Sequence, residues 1–229
     1  MPSARGAHRK RPRRRAEEVI DAAAAVFAER GYHGASTQDV ADRLGMRQAS
    51  LYYYFPSKEA ALEQVCLRSV GDFVDRAQAI ARAPGRAADK LTTLIHSHLA
   101  PVEVRRDYVR CFLRERRFLP RDSARRIGRV ARRYEGILQG VIKAGMAADE
   151  LRRDLDPRLA TLALLGMCNA AMEWYGHEPN APLERIAKAF AALVIDGMKV
   201  SRRTAPPSGN RAKGSGGRGG SRPRRRVGG

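Results

Sequence analysis

The 229-residue sequence predicts an all-α fold, and three observations carry that expectation. Aromatic residues are few, at 6%, while Ala, Leu and Arg are abundant. Apolar residues recur at i, i+3 and i+4 along most of the chain, the spacing of one buried helix face. A helix, a glycine and a second helix are legible between Ser36 and Lys58. The length suits one or two domains and allows a substantial core.

Residues 1–13 are rich in Arg, Lys, Pro and Gly and read as a disordered basic arm. A first helix is expected from Arg14 to Arg30, with Ala16, Ile20, Ala23, Ala24 and Phe27 as its buried stripe and Gly31 ending it. A short helix follows on Val40, Ala41 and Leu44, with Thr37 placed to cap its free N–H groups and Gly45 to close it. Leu51, Tyr54 and Phe55 repeat the spacing on a second short helix, which Pro56 stops. Ser57 is placed to cap the next helix. Helix, glycine turn and helix is the layout of a DNA-reading helix-turn-helix, whose second helix enters the major groove.

The run S-T-Q-D-V-A-D-R-L-G-M-R-Q-A-S-L-Y-Y-Y-F-P-S-K from Ser36 to Lys58, preceded by Phe27, Gly31 and Tyr32, resembles the N-terminal domain of the tetracycline-repressor (TetR/AcrR) family of bacterial transcription regulators. The ending L-Y-Y-Y-F-P-S-K-E is more than a generic helix-turn-helix demands. The resemblance implies an N-terminal three-helix DNA-binding domain over 14–58, a helical ligand-binding and dimerisation domain over 59–200, and a disordered basic tail over 201–229. It places DNA contacts on Ser36, Thr37, Gln38, Arg47, Gln48, Ala49, Ser50, Tyr52, Tyr53, Tyr54 and Lys58. Arg47, Gln48, Ala49 and Ser50 begin the recognition helix, where guanine, adenine and the thymine methyl suit Arg, Gln and Ala respectively. Gln38 is a further candidate base reader. Thr37, Tyr52, Tyr54 and Lys58 look like phosphate clamps, which fix register without reading sequence. Where the family usually has Ser and then Gly in this helix, the chain has Arg47 and Ala49, which leaves the domain assignment intact and the operator sequence open.

A long helix is expected from Ser57 to about Ala83, on a stripe that includes Leu62, Val65, Cys66, Ser69, Val70, Phe73 and Val74. Another is expected over Arg86 to Leu99, in which His96 and His98 diverge too far to chelate one metal. Val102 to Leu119 reads as one helix with Tyr108, Cys111, Phe112, Glu115 and Phe118 near one face. Arg110, Arg114 and Arg117 share another stripe, either a solvated basic face or a lining for an anionic head group. Asp122 to Met146 forms a further helix. Asp156 and Pro157 open an almost wholly apolar one, and Leu183 to Val200 gives the last. The two terminal segments, about 157–176 and 182–200, suggest a four-helix homodimer seam.

The run D-P-R-L-A-T-L-A-L-L-G-M-C-N-A-A-M-E-W-Y resembles the branch of the family that represses fatty-acid and steroid-ring degradation in response to CoA thioesters. That resemblance implies a small hydrophobic or CoA-thioester effector. Candidate ligand residues are Phe73, Arg110, Arg114, Phe118, Asn169 and Trp174, with Trp174 either walling the pocket or packing at the dimer seam. Ligand entry is expected to move the fourth helix and so the spacing of the two reading heads.

The formal charge is +20, yet residues 1–15 hold seven Arg or Lys and residues 201–229 hold nine, with no acid in either. Residues 16–200 therefore carry only +4. Basic ends of this kind attract DNA phosphates. Cys66, Cys111 and Cys168 show no paired spacing and read as small core residues in a reducing compartment. No apolar signal core or membrane-length run is seen, so a soluble protein of the bacterial cytoplasm is expected. No cofactor, metal site, nucleophile–base pair or Gly-rich phosphate loop is apparent, which makes an enzyme the weakest option. A repressor of drug efflux and a DNA-packaging protein remain as competing readings.

Overall fold

The computed structural model describes residues 5–177 and 180–200; the expected C-terminal tail and the first residues of the arm lie outside them. The described residues are helical throughout, apart from loops and one isolated bridge between Leu151 and Lys199. The first helix, α1 (Arg5–Gly34), begins ahead of the expected Arg14, within the basic arm. At Gly31 φ is +69°, a left-handed conformation that breaks the helix and costs glycine little.

Next comes α2 (Thr37–Arg43), with a cap one residue earlier than expected. The Ser36 hydroxyl accepts from the Asp39 N–H at 3.1 Å, and the Asp39 carboxylate accepts from the Ser36 N–H at 2.7 Å. The two form a reciprocal capping box. Thr37 is thus the first helical residue rather than the cap. Gly45, at φ +60°, turns the chain into α3 (Gln48–Leu51). This helix is a single turn, shorter than the expected run to Phe55, because Tyr52 to Tyr54 continue as a turn that drops Phe55 into the core. Leu51 and Phe55 are both buried, as their spacing predicted.

Ser57 caps α4 (Lys58–Arg82), accepting from the Ala60 N–H at 3.2 Å. After α4 comes α5 (Ala87–Leu99). The segment expected as one helix over Val102–Leu119 is broken into α6 (Pro101–Val104), α7 (Arg106–Arg110), a π-helical turn (Cys111–Glu115) and a 3-10 turn (Arg116–Phe118). It must bury two sides at once. Tyr108 and Cys111 face α1, while Val109 and Phe112 face a cavity in the second half. A wide turn widens the angular spread of buried side chains beyond one regular stripe.

The remaining helices are α8 (Arg121–Ala147), α9 (Pro157–Trp174) and α10 (Leu183–Met198). Asp156 caps α9 by accepting from the Arg158 and Leu159 N–H groups. At Gly145, a Cβ atom would lie 2.6 Å from the Ala87 Cβ, so α8 and α5 meet where only glycine fits.

The apolar interior falls into two clusters. One joins α1, α2, α3 and the first half of α4, and is closed by Tyr108, Cys111, Leu119 and Ile127 from outside the helix-turn-helix. The other lies among α5, α8, α9, α10 and the second half of α4. A fully buried Leu such as Leu62 or Leu138 contributes roughly 2 kcal/mol in each. The three cysteines are buried and free, in accord with a packing role. Burial pushes the Cys66 and Cys168 thiols up to about 12, where they stay protonated and unreactive.

Candidate DNA interface and effector pocket

The reading head presents Gln38, Arg47, Ala49, Ser50, Tyr52 and Tyr53 to solvent. Tyr53 is 88% exposed, an extent that no core role explains, and its ring meets Tyr54 edge-on at 5.4 Å. Several polar groups expected to touch DNA are bonded to neighbours in the protein. Gln48 Nε2 donates to Thr37 Oγ1 at 2.8 Å, and Gln38 Nε2 donates to Asp42 Oδ1 at 2.6 Å. Each bond uses one of the two N–H donors of its amide and orients the side chain at the surface. The Ser36 hydroxyl is spent on the capping box and also donates to Asp39 Oδ2. Those bonds hold the Asp39 carboxyl below the usual carboxylate range.

Lys58, expected as a phosphate clamp, also has contacts within the protein. Its ammonium donates to the Tyr32 carbonyl at 2.7 Å and to the Ala35 carbonyl at 2.9 Å, and lies 4.2 Å from the centre of the Tyr32 ring. It ties the start of α4 to the turn between α1 and α2, and two of its three donors face inward rather than toward phosphate. Tyr32 is the centre of this joint. Its hydroxyl donates to Glu59, its backbone N–H donates to Glu115 Oε2 at 2.8 Å, and its ring stacks on Phe118 at 5.4 Å. Burial, then the Glu59 bond, pushes the Tyr32 hydroxyl up to about 12.

The cavity of the second half, about 270 Å³, is enclosed by α4, α5, the turns after α7, α8 and α9. Phe73 and Asn169 line it as expected. The other four expected ligand residues do not. Arg114 faces solvent and makes a forked pair with Glu173, with Nε to Oε2 at 3.0 Å. The Glu173 carboxyl is held low by that pair, with Arg110 adding to it from the side. Arg110 and Arg114 therefore belong to the solvated basic face. Phe118 is drawn away to Tyr32 and His33, and Trp174 packs edge-on against Phe190 at 6.5 Å on the outer face of α9 and α10. The arginine that does line the cavity is Arg116, which is exposed, with its guanidinium 4.6 Å from the Phe112 ring.

His98 and Tyr134 are the pocket residues that sequence reasoning missed. His98 Nδ1 lies 2.8 Å from the Tyr134 hydroxyl, and Nε2 lies 3.1 Å from Asn169 Oδ1. Burial pushes the imidazole down to about 4, so it is neutral near pH 7. A signal existed: His98 lies on the same stripe as Leu91, Leu94 and Ile95, a polar residue where the pattern asks for an apolar one. His96, two residues away, faces outward and pairs with Glu184 at 3.7 Å. Among the described residues no group of His, Cys, Asp and Glu is arranged to hold a metal ion, and no helix is long and apolar enough to cross a membrane.

One helix, α4, begins under the reading head at Lys58 and walls the cavity at Ser69, Val70 and Phe73. That joins a DNA-reading surface to a small-molecule chamber and defines a transcription regulator. The chain belongs to the TetR family: residues 19–65 match the family described as "Bacterial regulatory proteins, tetR family", and residues 84–198 match "Tetracyclin repressor-like, C-terminal domain". It is 25% identical over 182 residues to the fatty acid metabolism regulator protein of Bacillus subtilis, covering 79% of this chain and 94% of that one. It is 27% identical over 205 residues to the transcriptional repressor KstR2 of Mycolicibacterium smegmatis, covering 83% and 93%. The solved structure of Bacillus subtilis FadR in complex with stearoyl-CoA superimposes with a TM-score of 0.70 at 24% identity, covering 80% and 98%, a likeness of fold.

Proposed function

We propose that this protein is a dimeric repressor that holds a palindromic operator through α2 and α3. It lets go when a hydrophobic or acyl-CoA-type effector enters the cavity, and it controls lipid or steroid catabolism in the bacterial cytoplasm, at the nucleoid. It acts by binding, with no turnover of the effector. The single observation that carries this reading is the shared use of α4 and the 106–118 segment by both sites. Val109, Phe112 and Arg116 line the cavity, while Tyr108, Cys111, Glu115 and Phe118 bond or stack on α1 and its turn. An effector that displaces the first set moves the second. DNA affinity falls only by the effector's preference for the non-binding arrangement.

Supporting the effector class are the apolar cavity walls, the exposed Arg116 for an anionic head group, and relatives named for fatty-acid regulation and for KstR2 repression. Supporting the dimer is an unburied apolar row on the last two helices: Leu159 and Leu193 are 64% and 68% exposed, with Leu162 and Trp174 beside them. Two copies also give the half-site spacing that a palindrome needs. The test is fluorescence anisotropy on the DNA upstream of this gene, with unrelated competitor DNA present and CoA thioesters added. Sequence-selective binding released by a thioester is the expected result. Selective binding that no thioester releases would redirect the effector to drugs, and binding lost to the competitor would favour DNA packaging.

A further inference from the structure

The polar lining of the cavity is graded: Ser69, His98 and Tyr134 are buried, Asn169 and Glu135 are half-buried, and Arg116 is exposed at the mouth with Leu162 and Gly166. With the Asn169 amide oxygen toward His98, Nε2 carries the imidazole hydrogen and donates to Oδ1. Nδ1 is then the acceptor, and the Tyr134 hydroxyl donates to it. The relay runs in one direction, from Tyr134 through His98 to Asn169. It consumes the hydrogen of each of the first two members and leaves the two N–H bonds of the Asn169 amide as its unspent donors. Asn169 is only half-buried and lines the cavity, so those donors have the cavity to face.

The electrostatics behind this floor favour the same partner. The Arg76 guanidinium lies 5.0 Å from the Phe73 ring, and Nη2 of that guanidinium is buried with no hydrogen-bond partner. Its charge acts on both His98 and Tyr134. The nearby carboxylates are paired elsewhere, Glu135 at the cavity wall with Arg158 and Asp72 with Arg105. The floor thus combines donors with a positive field while its imidazole stays neutral. A plain alkyl end would strand the Asn169 amide, a group that costs free energy when buried without a partner.

We infer that the floor formed by Tyr134, His98 and Asn169 reads a neutral carbonyl oxygen at the buried end of the effector, far from any CoA head group at the Arg116 mouth. This rests on the reading of the cavity as the effector site and narrows its chemistry. At about 270 Å³ the space suits a compact oxo-ring better than a long chain, being near the lower edge of ligand pockets, roughly 300–1,000 Å³. Asn169 is the specificity residue, and Tyr134 and His98 position it.

The test is calorimetric binding to the full chain of three thioesters matched in acyl carbon count: 3-(4-oxocyclohexyl)propionyl-CoA, 3-cyclohexylpropionyl-CoA and azelaoyl-CoA, which ends in a carboxylate. The two ring acids without CoA are run beside them. The oxo-ring thioester is expected to bind roughly tenfold or more tightly than the hydrocarbon ring. Asn169→Leu is expected to erase that preference while still binding the hydrocarbon ring. Should Asn169→Leu fail to fold, Tyr134→Phe keeps the shape, removes the donor to Nδ1, and is expected to shrink the preference. Equal or tighter binding of the hydrocarbon ring, or of azelaoyl-CoA, overturns the inference and leaves the repressor reading standing. If no thioester binds but the free oxo-acid outbinds its hydrocarbon twin, the carbonyl reader stands and the CoA reading falls. If nothing binds, both fall.

Discussion

The reading head and the effector chamber manage their polar groups in opposite ways. In the head, Gln38, Gln48 and Arg30 are bonded to neighbours at or near the surface, where water or DNA can take over each partner. In the chamber, His98 and Tyr134 are bonded to each other out of reach of water. Surface pairs exchange at little cost, while buried pairs must be replaced in kind. On the proposed function, the head can exchange its bonds for DNA at little cost, whereas a ligand of the chamber has to satisfy the groups it uncovers.

That contrast can be broken at four points. Gly145→Val should have the largest effect. A Cβ there meets Ala87 and Leu151 under 3 Å, and the loss should be about 3 kcal/mol, read as a lowered denaturant midpoint. Hydrogen exchange should show it in α5 and α8, with the head's protection lowered less. Acidification comes next. The folded His98 titrates at about 4, below the 6.5 of an unfolded imidazole, so the unfolded chain binds the proton first. Stability present above pH 6.5 is therefore lost as pH falls toward 4, by about 3 kcal/mol in all. The head's Asp39 and Glu59, held low by hydrogen bonds from Ser36 and Tyr32, keep their contribution until pH drops below the ordinary carboxylate range. Chemical denaturation at pH 7 and pH 5 should thus weaken the chamber before the head. Uniform loss in both would break the contrast.

Third, Tyr52→Ala should weaken binding to every DNA, whereas Gln48→Ala should mainly relax choice at one base pair, worth about 1–3 kcal/mol of discrimination. Anisotropy against a set of single-base operator variants separates the two. The smallest effects are on stability. Ser36→Ala removes the capping box and should cost about 1 kcal/mol, while Arg114→Ala, which breaks an exposed pair, should cost under ~1 kcal/mol. A larger penalty for Arg114 would mean that its pair with Glu173 is structural after all.

The head was legible because its information is local. The spacing from Ser36 to Lys58 fixes caps, turn and core within one stretch of sequence. Even the cap, expected on Thr37 and found on Ser36, was decidable from the acid three residues after Ser36. The chamber was half legible. Phe73 and Asn169 stood out, but the bonds from His98 to Tyr134 and Asn169 span 36 and 71 residues, and no periodicity joins them. The segment from Val102 to Leu119 departs from its single-helix expectation for a related reason. Its spacing is helical, yet α1 on one side and the cavity on the other impose the π-helical turn, and that demand comes from the tertiary structure. The bonds of Lys58 to the Tyr32 and Ala35 carbonyls were not legible because those carbonyls are exposed only once Gly31 has broken the first helix.

Trp174 is the single tryptophan of the chain, and it stands near the end of α9, 36% exposed and edge-on to Phe190. The intrinsic emission of the whole protein therefore comes from one known place, with no label needed. It lies on the same helix as Asn169, on the outer face rather than the cavity wall. On the proposed dimer through α9 and α10, dilution that parts two copies should send the emission red, as the indole meets more water, while a ligand that merely fills the cavity should leave it nearly still. The spectrum then gauges the proposed assembly, readable in the same cuvette as the DNA titration.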